Sequence, residues 1–217
     1  MSNLTFTLKT EPDFKLNCGA LTPNNLAGLS SEKIAKLKLG TSKNSPQVAD
    51  FFDISFEKVN QNIKAGSSTN HIIFKNSPKC NMAQLDFIGA NMAQGKITVC
   101  GNAGDRLGDK MRRGLILVEG NVGDYAASRM LAGTLGILGK CGAYTGFAMK
   151  RGTILLKETP QLHATIQDCG VHTLPFLSLL FKSLENPQFS AIASNRVQRF
   201  AGDLSVNGNG EILVLQA

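Results

Sequence analysis

At 217 residues the chain is long enough for one substantial hydrophobic core, and 18% charged residues, 22 glycines and no tryptophan suit a glycine-cornered repeat better than a helical enzyme. A formal net charge of +7 favours acidic partners, whether anionic ligands, an acidic protein surface or nucleic acid. The longest apolar run, around Leu174 to Phe181, is far too short to span a bilayer, and the N-terminus has no basic stretch followed by an apolar one, so neither a membrane span nor a signal peptide is expected.

Residues 1–52 read as an N-terminal arm. Leu4-x-Phe6-x-Leu8 alternates at strand period. Leu21-Thr22-Pro23 predicts a helix start with Thr22 as cap and Pro23 at the first position, and Ser30-Ser31-Glu32 predicts a second short helix with a serine cap. Gly40 to Pro46 is a connector, after which Val48 to Ile54 resumes apolar character. Five cysteines (Cys18, Cys80, Cys100, Cys141, Cys169) are scattered and odd in number, without a C-x-x-C pair. They predict reduced thiols in a cytoplasmic protein.

Residues 53–157 carry a repeat. Ile54-x-Phe56 and Ile72-x-Phe74 are strand-like but irregular, as terminal repeats usually are. From Met92 the pattern is regular. Met92, Met111, Met130 and Met149 recur every nineteen residues, each three positions before a glycine. Ile97, Ile116, Leu135 and Ile154 form a second series, and Val99, Val118, Ile137 and Leu156 a third. Glycines recur at Gly101, Gly120 and Gly139, at Gly104, Gly123 and Gly142, and at Gly89, Gly108 and Gly146, this last series broken by Ala127. Ile72 lies 17 residues before Gly89 whereas Ile97 lies 11 before Gly108, so an insertion of six residues is expected around Asn76 to Met82. Self-similarity at this period means one unit stacked on itself, burying a face that no single unit buries alone. Alternating aliphatic pairs with glycine corners predict an all-β fold, a right-handed parallel β-helix with short helical flanks. Equivalent side chains then stack in ladders about 4.8 Å apart.

After Leu156 the pattern stops. Residues 158–217 read as a C-terminal cap holding a short helix over Leu174 to Leu184, with Pro175 at its start, and a final strand near Glu211 to Val214. That helix is apolar nearly all round, so it is expected to pack over the open end of the solenoid or into a partner.

Candidate chemistry is sparse. Asp105 and Asp124 share a phase, and stacked carboxylates about 5 Å apart can bind a cation or act on a sugar bond, although turn aspartates more often bond to backbone. Arg112, Arg113, Arg129, Lys150 and Arg151 surround the methionine series, with Arg106 nearby. They predict a basic stripe that recognises carboxylates of an acidic ligand or partner. Nucleic acid fits less well, since no aromatic residues interleave with the basic ones. His163, Cys169 and His172 show a C-x-x-H spacing but lack a fourth ligand nearby, and no metal is expected. No nucleophile elbow or phosphate loop is present.

The segment Met92-Ala93-Gln94-Gly95-Lys96-Ile97-Thr98-Val99, continuing through Gly101-Asn102-Ala103-Gly104-Asp105-Arg106-Leu107-Gly108, resembles the C subunit of formylmethanofuran dehydrogenase. In particular it is similar to the C subunit of the bacterial formyltransferase/hydrolase complex. Met111-Arg112-Arg113-Gly114, Gly120-Asn121-Val122-Gly123-Asp124-Tyr125, Arg199-Phe200-Ala201-Gly202-Asp203-Leu204 and Leu21-Thr22-Pro23 extend the likeness over nearly the whole chain. The glycine-rich repeats alone are also similar to the C-terminal domain of the glutamate synthase large subunit. Ala127, Ala143 and Gly136 depart from the repeat. The resemblance implies a cytoplasmic, non-catalytic assembly subunit, joined to A, B and D subunits, in tetrahydromethanopterin-linked one-carbon metabolism of a methylotroph. The implied complex moves a formyl group to a methanofuran-type carrier and hydrolyses it to formate, with no cofactor held tightly by this subunit. The carrier's acidic glutamate tail gives the basic stripe a ligand. A stand-alone β-helix hydrolase using the stacked aspartates is the alternative.

Overall fold

A computed structural model describes residues 2–58, 70–76 and 82–216. Leu4, Phe6 and Leu8, alternating with polar residues, form β1 (Ser2–Leu8) and are fully buried. A two-residue strand β2 (Leu16–Asn17) follows, then α1 (Pro23–Leu26), α2 (Ser31–Ala35) and α3 (Val48–Phe51). The helix starts lie where Thr22 and Ser30 predict them, but neither side chain caps its helix, and the buried Thr22 hydroxyl has no hydrogen-bond partner among the described residues. The connecting strands are β3 (Phe52–Lys58), β4 (His71–Asn76) and β5 (Leu85–Asp86). β1 pairs antiparallel with β3 and parallel with β4, stacking Leu4 on Ile72 and Phe6 on Phe74.

The aliphatic series become β6 (Lys96–Cys100), β7 (Leu115–Val118), β8 (Thr134–Ile137) and β9 (Thr153–Leu156). They pair in parallel, and partners such as Ile97 and Ile116, Ile116 and Leu135, or Leu135 and Ile154 lie nineteen residues apart in sequence. Ile72 pairs with Ile97, twenty-five residues on, which is the six-residue excess the spacing predicts. Most of the predicted insertion, residues 77–81, lies outside the described residues. Inside, the Ile97 and Val99 series and the four methionines of the repeat series are essentially without solvent contact.

Beyond β9 come β10 (Gln167–Thr173), α4 (Phe176–Ser183), α5 (Pro187–Ser190), β11 (Arg196–Ala201) and β12 (Glu211–Leu215). The stack does not end at Leu156. β12 lies parallel to β9, seating Ile212 on Ile154 and Val214 on Leu156. The result is a mostly β protein with few helices, dominated by a ten-stranded mixed sheet ordered β10-β11-β12-β9-β8-β7-β6-β4-β1-β3.

The helix expected at Leu174 to Leu184 is α4, and its packing differs from the expectation. Leu177, Phe181 and Leu184 join Phe189 of α5 and Val197 on the outward-facing Leu117, Leu155 and Leu213 of the sheet, forming a second core. Those strands are apolar on both faces, so the sheet itself supplies the surface that α4 covers. Gly136 is the matching position on β8, where a Cβ would stand 2.7 Å from the Phe189 ring. Its interruption of the repeat is therefore the seat of Phe189. No helix among the described residues is long and apolar enough to cross a membrane.

Gly136→Val is expected to lower stability by about 1–3 kcal/mol through overpacking, read from urea denaturation midpoints. Pairing it with Phe189→Leu should recover part of the loss, whereas a strictly additive double variant would show that Gly136 and Phe189 do not compete for space.

Candidate functional site

The polar residues that recur with the repeat bond to the repeat itself. Asp86 Oδ1 accepts from the Asp105 N–H at 2.8 Å, Asp105 Oδ1 from Asp124 N–H at 2.9 Å, and Asp124 Oδ1 from Ala143 N–H at 2.8 Å. Asn102 and Asn121 do the same for Asn121 N–H and Lys140 N–H. The carboxylates predicted to stack do stack, each anchoring the backbone of the next layer. Lys15 reaches both Asp86 (3.3 Å) and Asp105 (3.4 Å). Gly104, Gly123 and Gly142 have ordinary φ angles, unlike glycines that need a left-handed turn. They are glycines because a Cβ at each would overlap the Oδ1 of Asp86, Asp105 or Asp124.

A second series closes the C-terminal end. The N–H groups of Asn91, Lys110 and Arg129 each donate to the carbonyl of the following layer, at Asp109, Ser128 and Phe147. Ala148 is next in phase, and the carboxylate of buried Asp203 takes the place of that carbonyl, with Oδ2 accepting at 2.8 Å. Ser205 donates to Oδ1 from both its N–H (2.9 Å) and its hydroxyl (2.6 Å). Burial by itself pushes the Asp203 carboxyl up. The hydrogen bonds from the Ser205 and Thr165 side chains and from the Ala148 and Ser205 N–H groups outweigh it and bring the pKa to about 2.

All five predicted basic residues are exposed. Arg112 and Lys150 occupy one repeat position two layers apart, and Arg113 and Arg151 the next. The layers are tied by Arg112 N–H to Met92 O and Lys150 N–H to Met130 O, both 2.8 Å. The intervening layer offers Leu131 and Ala132 there. Arg129 stands apart from them, held bidentately by the buried Asp109 through Nε at 3.0 Å and Nη2 at 2.6 Å. Asp109 Oδ1 also accepts the Ser128 hydroxyl at 2.7 Å. Arg106 corrects one expectation, because aromatic residues do interleave with it. Its guanidinium lies 4.9 Å from the Tyr125 ring centroid and 5.9 Å from that of Phe87.

His163 and His172 do not converge with Cys169 as ligands. His163 Nδ1 lies 2.7 Å from the Thr165 hydroxyl, and His172 Nε2 is 2.9 Å from the Cys169 carbonyl. No cluster of three or more candidate metal ligands occurs among the described residues, whose four cysteines are free thiols. Sequence reasoning gives no role to Asp109 or Tyr144, and it quotes Tyr125 and Asp203 only as parts of resembling motifs. For the tyrosines the signal is the nineteen-residue phase shared with Phe87 and Arg106, hidden because the row mixes phenylalanine, arginine and tyrosine.

Stacked β layers tied together by polar ladders characterise this fold, and comparison with known proteins shows what it resembles. No protein-family model matches the chain. Over 87 residues it is 34% identical to the C subunit of the Fhc formyltransferase/hydrolase complex of Methylorubrum extorquens, covering 40% of this chain and 28% of that protein. Over 104 residues it is 29% identical to the C subunit of the molybdenum-containing formylmethanofuran dehydrogenase 1 of Methanosarcina barkeri, covering 48% and 32%. The matches thus span about three tenths of these curated relatives. A chain in the crystal structure of the Methylorubrum extorquens formyltransferase/hydrolase complex, solved with methylofuran, shares the fold. The alignment covers 98% of this chain and 100% of that one, with a TM-score of 0.53 and 24% identity. Over these aligned segments the chain is similar to the C subunits of both complexes.

The Asp203 pKa lies below its unfolded value near 3.8, so as the pH falls the unfolded chain takes up the proton first. The stabilisation, about 2 kcal/mol, is present above pH ~4 and lost as pH falls toward ~2. Urea unfolding of Asp203→Asn across this window should show a shallower acid limb than the parent; equal limbs would dismiss the closure as a source of acid sensitivity.

Proposed function

We propose that this chain is a non-catalytic assembly subunit of a formyltransferase/hydrolase complex of the formylmethanofuran dehydrogenase type, working in the cytoplasm with A, B and D subunits. In this reading the complex converts formyl-tetrahydromethanopterin to formate through a formylated methanofuran-type carrier, with the chemistry on the other subunits. The observation that carries it is the homology to two C subunits of such complexes. The hydrolase alternative loses support because Asp105 and Asp124 each commit an oxygen to the next layer's backbone.

We read the nineteen-residue parallel registers as coils of a right-handed β-helix over residues 53–157, with 1–52 as arm and 158–217 as cap. Arg112, Arg113, Lys150 and Arg151 then offer cations to the acidic tail of the carrier or to an acidic partner surface, while Arg129 stays with Asp109.

Affinity purification of the tagged chain from its native cytoplasm, read by native mass spectrometry, should recover a hydrolase-like and a formyltransferase subunit. A lone monomer or a filament would overturn the assembly role. Within the complex, Arg112→Glu with Arg113→Glu is expected to weaken carrier binding or assembly by about tenfold or more. Unchanged behaviour would sink the basic stripe alone.

A further inference from the structure

Phe87, Arg106, Tyr125 and Tyr144 occupy one repeat position and form a continuous stack along the layers. Arg106 sits between the Phe87 and Tyr125 rings, and Tyr125 stacks on Tyr144 with centroids 5.0 Å apart and planes at 17°. Phe147 closes edge-on against both tyrosines, at 6.1 and 6.4 Å. All four stacked residues have a left-handed backbone, with φ between 57° and 59°. That conformation disfavours bulky side chains, and the same layers use glycine at the left-handed positions of Gly89, Gly108 and Gly146. Filling the row with large side chains against this preference points to a contribution from the side chains themselves.

Both faces of Arg106 and Tyr125 are taken by their neighbours, and the outer side of Tyr144 meets the tilted His163 ring at 6.2 Å, which disfavours a nucleobase or other planar ligand. What remains free is the edge. The Arg106 guanidinium and the Tyr125 and Tyr144 hydroxyls have no hydrogen-bond partner among the described residues, and all three side chains reach solvent. A guanidinium placed between two rings keeps its N–H groups at the edge of the stack, a fork matched to a carboxylate. The neighbouring carboxylates do not consume it, since Asp105 is bound by Lys15 and by Asp124 N–H, and Asp124 by Ala143 N–H.

We infer that the Arg106–Tyr125–Tyr144 edge is a docking surface for a partner protein that presents carboxylate side chains along the direction of the stack. The +7 net charge draws an acidic partner, and arginine and tyrosine are the residue types that dominate interface energetics. The inference rests on the assembly-subunit reading.

The test uses the full chain and the separately purified partner subunits recovered with it, titrated by calorimetry. Arg106→Lys keeps the charge and loses the fork; Tyr125→Phe with Tyr144→Phe keeps the rings and loses the hydroxyls. Arg106→Lys should weaken binding to one partner by about tenfold or more, and the tyrosine pair by a few-fold, with unfolding midpoints unchanged. If Arg106→Lys lowers the midpoint, the tyrosine pair carries the test. Parental affinity in the triple variant overturns the surface and leaves the assembly role standing; failure of the parent chain to bind any partner overturns both. Displacement of the partner by stoichiometric free hexa-aspartate would reassign the edge to a small acidic ligand and overturn a protein partner.

Discussion

The interaction on which the rest of the structure depends is the parallel backbone pairing that places each residue of the central segment against the one nineteen positions away. Once that offset is set by strand hydrogen bonds, every other position inherits it, so like must sit on like. A one-residue slip would turn every buried aliphatic outward. The methionines show how tightly the inheritance holds: the methyl of Met92, Met111 or Met130 lies where a Cβ on Gly114, Gly133 or Gly152 would fall, within 2.6–2.8 Å. Each methionine fills a space that only a glycine in the following layer leaves open.

A stack of identical layers has two ends and two faces, and the remaining elements deal with them. β1 and the segment around β2 extend the layers at the N-terminal end, with Leu16 paired to Leu85. At the other end Asp203 supplies the acceptor that a further layer would have supplied, and β12 adds one more strand to the sheet. The α4–α5 hairpin lies on the outer face, held by Phe181 and Phe189 over Leu117, Gly136 and Leu155. A buried N–H without an acceptor costs about 1–3 kcal/mol, which makes the carboxylate at the last layer part of the fold.

What was legible in the sequence was whatever the period carries. β6 to β9, the methionine series, the length of the insertion and the position of α4 all follow from local spacing. The placement of β1 and β12 does not. Leu4 pairs with Ile72 and Glu211 with Thr153 across long intervening segments, and no periodicity links them. The Asp109–Arg129 pair lies twenty residues apart, one off the period, so a phase comparison passes over it. The destination of α4 was missed for another reason: the outward Leu117 and Leu155 lie within strands whose burial on both faces is not distinguishable from a one-sided pattern in four residues.

Stacking like on like also constrains where charge can go. Identical cations in adjacent layers would stand about 4.8 Å apart, close enough to repel even near the surface. The chain separates them in three ways. Arg112 and Lys150, and Arg113 and Arg151, are spaced by an uncharged layer, which puts them about 10 Å apart, near the screening length at physiological salt. Lys110 and Arg129 are in adjacent layers, and there Asp109 takes the guanidinium. Anions meet the same constraint, and Asp86 and Asp105 in adjacent layers share Lys15. Arg106 alone is separated by aromatic rings, which shield it from like charge while leaving its N–H edge unneutralised. Arg106, Arg112, Arg113, Lys150 and Arg151 thus make no ion pair among the described residues, and they are positions from which the stacked layers offer positive charge to an acidic surface.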